Sequence, residues 1–123
     1  MKYPVLVALV VLLLGACGVD RNIENDITID HGVYGLLVKG CDTSGCVDQV
    51  DGNEQVMVLK PGEPGAFDTV VSDGNGVYQI DLPADTYQVC TYSCTQVTVP
   101  PAGTIRADWT SGPGGGNWSV TQH

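Results

Sequence analysis

The chain has 123 residues, a length for one domain. Its 5 basic and 14 acidic side chains give a formal net charge of −9, which repels nucleic acid and anionic lipid head groups. The longest apolar run, from Val5, stops after about a dozen residues, short of the roughly 20 that a membrane-spanning helix needs.

At the N-terminus, Lys2 precedes the apolar stretch Val5 to Leu14 and the small residues Gly15 and Ala16. A positive start, a short apolar helix and small residues at its end are the pattern of a secretory signal peptide. Five cysteines follow the same logic, because an odd count in an exported chain leaves one sulfur over. Cys17 stands apart from the others, directly after the small residues. The stretch Leu14-Gly15-Ala16-Cys17 resembles the bacterial lipobox, in which the cysteine thiol is acylated and the chain is cut just before it. The resemblance implies a signal peptide over 1–16, acyl chains such as palmitate on Cys17, and attachment to a membrane through them. Gly18 rather than aspartate after the cysteine implies an outer-membrane address. Removal of residues 1–16 takes Lys2 away and leaves 4 basic against 14 acidic side chains.

Residues 17–29 read as a lipidated cysteine and an acidic flexible tether, too polar to fold alone. Extended, that dozen residues would reach about 40 Å. From residue 30 to 123 the texture is that of short β-rich runs divided by Gly, Pro, Asn and Asp. Strands are expected in "GVYGLLVKG", "EQVMVLK", "AFDTVVS", "VYQIDL", "DTYQVCTY", "CTQVTV" and "TIRADWT", with a glycine-rich "SGPGGG" before a last run, "NWSV". The "DGNG" of Asp73 to Gly76 marks a turn. Seven or eight short strands with no helical period outside the signal give an all-β sandwich or barrel.

The order Ser72, Asp73, Gly76, Tyr78, Leu82, Pro83, Tyr87 and Val89 resembles the carboxypeptidase regulatory-like, or transthyretin-like (prealbumin-like), β-sandwich modules. Asp85 stands where that family usually has glycine. "GVYGLLV" is similar to the family's first strand, with Val33, Gly35 and Leu37 on one face. The resemblance implies a Greek-key sandwich. It also implies a non-catalytic module rather than an enzyme, and no cofactor.

For the remaining cysteines, two disulfides are the default outside the cytoplasm. Strand parity favours one of three pairings. If Tyr87, Val89, Val97 and Val99 point inward, Cys90 and Cys94 point outward together on neighbouring strands, leaving Cys41 with Cys46. A site for zinc built from all four departs from the usual Cys-x-x-Cys spacing. Asp42, Asp48, Asp51, Asn53 and Glu54 crowd one loop, but only the first fragment of a calcium-loop pattern is present, so the loop reads as a solvated acidic surface. A carboxylate-dependent hydrolase would have to draw on the same acidic residues, and a Ser-His-Asp arrangement would have to use His31, with no nucleophile elbow in sight. His31 reads as a residue at a strand edge.

Trp109 shares parity with Ile105 and Ala107 and reads as core, whereas Trp118 packs the final strand. Tyr34 and Tyr92 remain as exposed aromatics able to serve as sugar platforms. The whole reads as a lipid-anchored, extracytoplasmic, non-catalytic binding or structural module of the cell envelope. Its expected contact surface is the loop holding Asp42, Asp48 and Asp51 together with the turn around Tyr92. An envelope protein or a glycan is the expected partner.

Overall fold

Strand β1 (His31–Lys39) explains most of the architecture, because seven successive residues in it, Gly32 to Val38, are buried. A strand whose two faces both exclude water must lie inside a sheet that is covered on both sides. The computed structural model describes residues 22–40, 47–112 and 115–122, and among these it contains nine strands and no α-helix. The others are β2 (Gln49–Val50), β3 (Gln55–Leu59), β4 (Asp68–Val71), β5 (Val77–Asp81), β6 (Asp85–Cys90), β7 (Cys94–Val99), β8 (Gly103–Gly112) and β9 (Gly115–Gln122).

Two sheets form. In the first, β1 pairs with β2 and β5 end to end along one edge and runs parallel to β8 on the other, with β9 antiparallel beyond β8. The second is antiparallel throughout, in the order β4-β3-β6-β7. Val33, Leu37, Tyr78, Ile80, Ile105, Ala107 and Trp109 of the first sheet share one core with Val56, Val58, Tyr87, Val89, Val97 and Val99 of the second. The expected all-β sandwich is therefore present, and the inward parity expected for both sets of residues holds.

The Asp73 turn also forms: the Asp73 Oδ1 accepts from the backbone N–H groups of Asn75 (2.8 Å) and Val77 (3.0 Å). It does not close a hairpin. Strand β4 pairs with β3 and β5 with β1, so the turn carries the chain from one sheet to the other. The strand β2 was not expected; it is only two residues long, within the acidic stretch.

Gly35 shows how closely β1 and β8 approach. A Cβ built there would lie 1.8 Å from the carbonyl oxygen of Ala107, so no side chain fits. The parallel ladder is re-routed at this point. The Tyr78 hydroxyl donates to Ala107 O, and the Leu36 N–H donates to Asp108 Oδ1 at 2.8 Å.

The second face of β1 corrects two expectations. Tyr34, expected to be an exposed platform, is 3% exposed, and residues 22–29 of the expected tether lie against the sheet. Ile23, fully buried, joins Tyr34, Leu36, Val38 and Val77 in a second apolar cluster, with Ile27 and Val50 packed at its margin. The Gln79 Oε1 accepts from Thr28 N (2.8 Å) and Ile29 N (3.2 Å), and its Nε2 donates to Asp26 O (3.3 Å). The polar composition concealed this strap because only two isoleucines, four residues apart, do the packing. The tether's remaining residues, and the signal peptide, lie outside the described residues.

If Ile23 holds the strap down, Ile23→Ala should cost about 2–3 kcal/mol, as for other large-to-small changes at fully buried sites. Chemical denaturation of both forms reads that difference, and a change below a few tenths would mean that the strap is not part of the fold.

Candidate functional site

Strands β6 and β7 meet in a tight turn, Thr91 to Ser93, closed by a Thr91 N–H donating to Ser93 O at 3.0 Å. Cys90 and Cys94 face each other across it in register and form a disulfide, with Cα atoms 4.0 Å apart. This is the pairing that strand parity favours. Both cysteines lie in the outward register, but Cys90 is 4% exposed. It lies on the inner strand β6 with Met57 of β3 opposite on one side and Cys94 on the other, so its neighbours cover it. Cys17, Cys41, Cys46 and Asp42 lie outside the described residues, and with them the expected lipid site and second disulfide.

Tyr92 sits at the tip of the turn and is 59% exposed, as expected. Its ring stacks on Trp109 (centroids 5.9 Å apart, planes at 30°), and Trp109 in turn packs against Trp118 (5.4 Å, 54°). The Trp118 indole N–H donates to Ser93 O at 3.0 Å, tying β9 to the turn. Trp109 is core, as its parity implied, yet its Nε1 has no hydrogen-bond acceptor among the described residues. Gly116 makes room for this column of rings: a Cβ there would be 2.4 Å from Trp109 Cζ2.

The acidic loop reaches the same place. The Tyr92 hydroxyl lies 3.5 Å from Asp51 Oδ2, a long hydrogen bond. Partial burial of the phenol, with the Glu54 and Asp51 carboxylates near its oxygen, raises the Tyr92 pKa to about 12. Asp51 is buried, contrary to the expectation of a wholly solvated loop. The loop is pinned from below by Ser72, which is 2% exposed. Its Oγ donates to Asp51 O (2.7 Å) and accepts from Glu54 N (2.9 Å). Asp48 is exposed.

Beside Tyr92 a cleft of about 670 Å³ opens between the turn and the β8–β9 hairpin. Lys39, Ser93, Ser111 and glycine backbone line it together with Tyr92 and Trp109. Of these residues, Lys39, Ser93 and Ser111 were not part of the contact surface expected from the sequence. They come from the end of β1, the turn and the end of β8, and only the sheet order brings them together.

His31 is at the other end of β1 from Lys39, about 26 Å away along an extended strand. Its Nδ1 meets Leu82 O and its Nε2 meets Pro101 O at 3.2 Å. Two carbonyl acceptors call for two N–H donors, which only the imidazolium has. The bond to Leu82 O is the main cause of a raised pKa, with the carbonyls of Pro100 and Pro101 and the charge of Asp81 adding to it.

No protein family, no curated protein and no solved structure matches the chain.

Two outcomes follow from these contacts. Replacing both Cys90 and Cys94 by serine should lower stability by roughly 2 kcal/mol, the loop-closure value for so short a loop. A denaturation curve unchanged by the double replacement would show the disulfide to be dispensable for the fold. Because the folded-state pKa of His31 is raised, its contribution is fully present below the unfolded value near 6.5 and disappears as pH rises through the folded value. Melting temperature should therefore fall across that window, and His31→Gln should flatten the fall.

Proposed function

We propose that the protein is a lipid-anchored, extracytoplasmic, non-catalytic binding module of the bacterial cell envelope. On this reading its domain is a Greek-key sandwich of the carboxypeptidase regulatory-like, or transthyretin-like, type. The observation that carries the binding role is the position of Tyr92. A large aromatic ring is held out of the core on a disulfide-closed turn, beside a cleft, at the end of the sandwich where the acidic loop also converges. Rigid turns displaying an aromatic residue on a two-sheet scaffold suit recognition.

The address rests on Leu14-Gly15-Ala16-Cys17, and the outer-membrane destination on Gly18. The family reading draws support from the Asp73 turn and from Tyr87, whose hydroxyl donates to Pro83 O at 2.8 Å. The Leu-Pro and Tyr-x-Val signatures of the sequence thereby meet in one corner. An envelope protein or a glycan is the partner class, and the acidic surface disfavours nucleic acid.

The strap alters what an anchor would do. With Ile23 already packed on the sheet, only residues 18–22 would separate an acylated Cys17 from the domain, a reach of about 17 Å rather than 40 Å. The domain would then ride close to the bilayer surface.

The intact, non-reduced mass of the protein extracted from its native membranes tests the anchor and the disulfides at once. The expected mass is that of residues 17–123 plus acyl groups, less four hydrogens. A chain without acyl groups would overturn the anchor, and alkylatable thiols at Cys41 and Cys46 would overturn the second disulfide.

A further inference from the structure

We infer that the cleft beside Tyr92 seats a neutral, pyranose-containing glycan, with the Tyr92 ring as its stacking platform. The inference deepens the binding-module reading and rests on it. Tyr92, Trp109 and Trp118 form a continuous column of rings, 5.9 Å and 5.4 Å apart, with the buried Trp109 at its centre and the exposed Tyr92 at one end. The outermost ring is fixed before any ligand arrives, by the disulfide-closed turn and by the Trp109 ring that it stacks on. An aromatic platform held in this way loses little entropy on binding. The volume of about 670 Å³ lies within the roughly 300–1,000 Å³ range of small-ligand sites.

The lining narrows the ligand class. Aromatic faces and glycine backbone supply an apolar floor, while the Lys39 ammonium and the Ser93 and Ser111 hydroxyls supply scattered hydrogen-bonding groups. A pyranose matches this mixture, with a C–H face to lie on a ring and hydroxyls around its edge. Trp109 also lines the cleft, and its indole N–H lacks an acceptor among the described residues. That N–H is buried, so Trp109 contributes apolar surface to the cleft rather than a donor. The carboxylates of Asp51 and Glu54 near the Tyr92 hydroxyl, on a chain of net charge −9, oppose an anionic ligand despite Lys39.

The protein's two tryptophans both stand in this column, Trp109 lining the cleft and Trp118 packed against it, so intrinsic tryptophan fluorescence reports on this end of the sandwich. The full-length chain in detergent micelles is titrated with the β-1,4-linked tetramers of glucose and of N-acetylglucosamine, and with a uronate tetramer. At least one neutral tetramer should give a saturable spectral change. Tyr92→Ala should weaken it about tenfold or more, as loss of an anchoring aromatic does. Lys39→Met, at an exposed site where misfolding is not a concern, should weaken it about threefold. Tyr34→Phe, on the opposite face of the sheet, should leave it unchanged. The inference is overturned if neither neutral tetramer alters the fluorescence, if both cleft variants bind as the unaltered chain does, or if the uronate binds more tightly. An acylated chain whose tryptophans ignore both neutral sugars would sink the glycan alone. An unacylated chain that binds one would sink only the anchor.

Discussion

The burial of β1 on both faces is the constraint on which the rest of the structure depends. One face is met by the second sheet through the main core, and the other needs a cover that the two sheets do not supply. The strap of residues 22–29 provides it. Ile23 is the decisive contact, because complete burial of such a side chain contributes about 1.5–3 kcal/mol. Around it runs a polar network. Glu24 Oε2 accepts from the Tyr34 hydroxyl (2.8 Å) and from Arg106 Nη1 (2.9 Å), and Arg106 Nε donates to Asp108 Oδ2 (2.9 Å). Ion pairs at such partly exposed sites contribute about 0–1 kcal/mol. Apolar burial thus holds the strap, whereas the charges fix where along the sheet it lies.

The same network connects the strap with the interior of the first sheet. Asp108 holds Arg106 and also accepts from the Leu36 N–H, next to Gly35, where β1 and β8 approach too closely for a side chain. Burial of the Tyr34 phenol, reinforced by the hydrogen bond to Glu24, raises its pKa to about 12, so it remains a donor over the physiological range. The acceptor matches it: the Tyr34 hydroxyl and the Arg106 guanidinium lower the pKa of Glu24 and keep it a carboxylate. Donor and acceptor are each kept in the protonation state that the contact requires.

Much of the fold was legible because period-2 patterning and turn chemistry are local. The strands with alternating burial, such as β6 to β8, were expected nearly residue for residue, as were the inward Trp109 and the outward pairing of Cys90 with Cys94. What the sequence hid is non-local. Val33 to Val38 is apolar at both parities, a sign of a strand buried on two faces, but nothing in that run says that Ile23 and Ile27 supply the second cover. Tyr34 was misread for this reason. The candidate site was half legible. Tyr92 was picked out by its place in a turn. Lys39 and Ser111 could not be, because they meet only when the parallel pairing of β1 with β8 sets Lys39 opposite Ser111.

The two ends of β1 consequently have different characters. At the His31 end, an imidazole ties the strand to the carbonyls of Leu82 and Pro101, and the contact closes off backbone acceptors at that edge. At the Lys39 end, the turn from β6 to β7, the hairpin from β8 to β9 and the acidic loop come together. Ser72 anchors the acidic loop there through four hydrogen bonds to residues 51–54, counting its own backbone N–H to Glu54 O at 2.9 Å and its carbonyl, which accepts from Asn53 N at 3.0 Å. The disulfide anchors the turn, and the Trp118 N–H to Ser93 O anchors the hairpin to it. The turn and the hairpin that line the cleft, and the acidic loop beside them, are therefore each held by their own contact. Segments anchored in this way have little freedom left to lose, which would lower the entropic cost of any binding at this end of the sandwich.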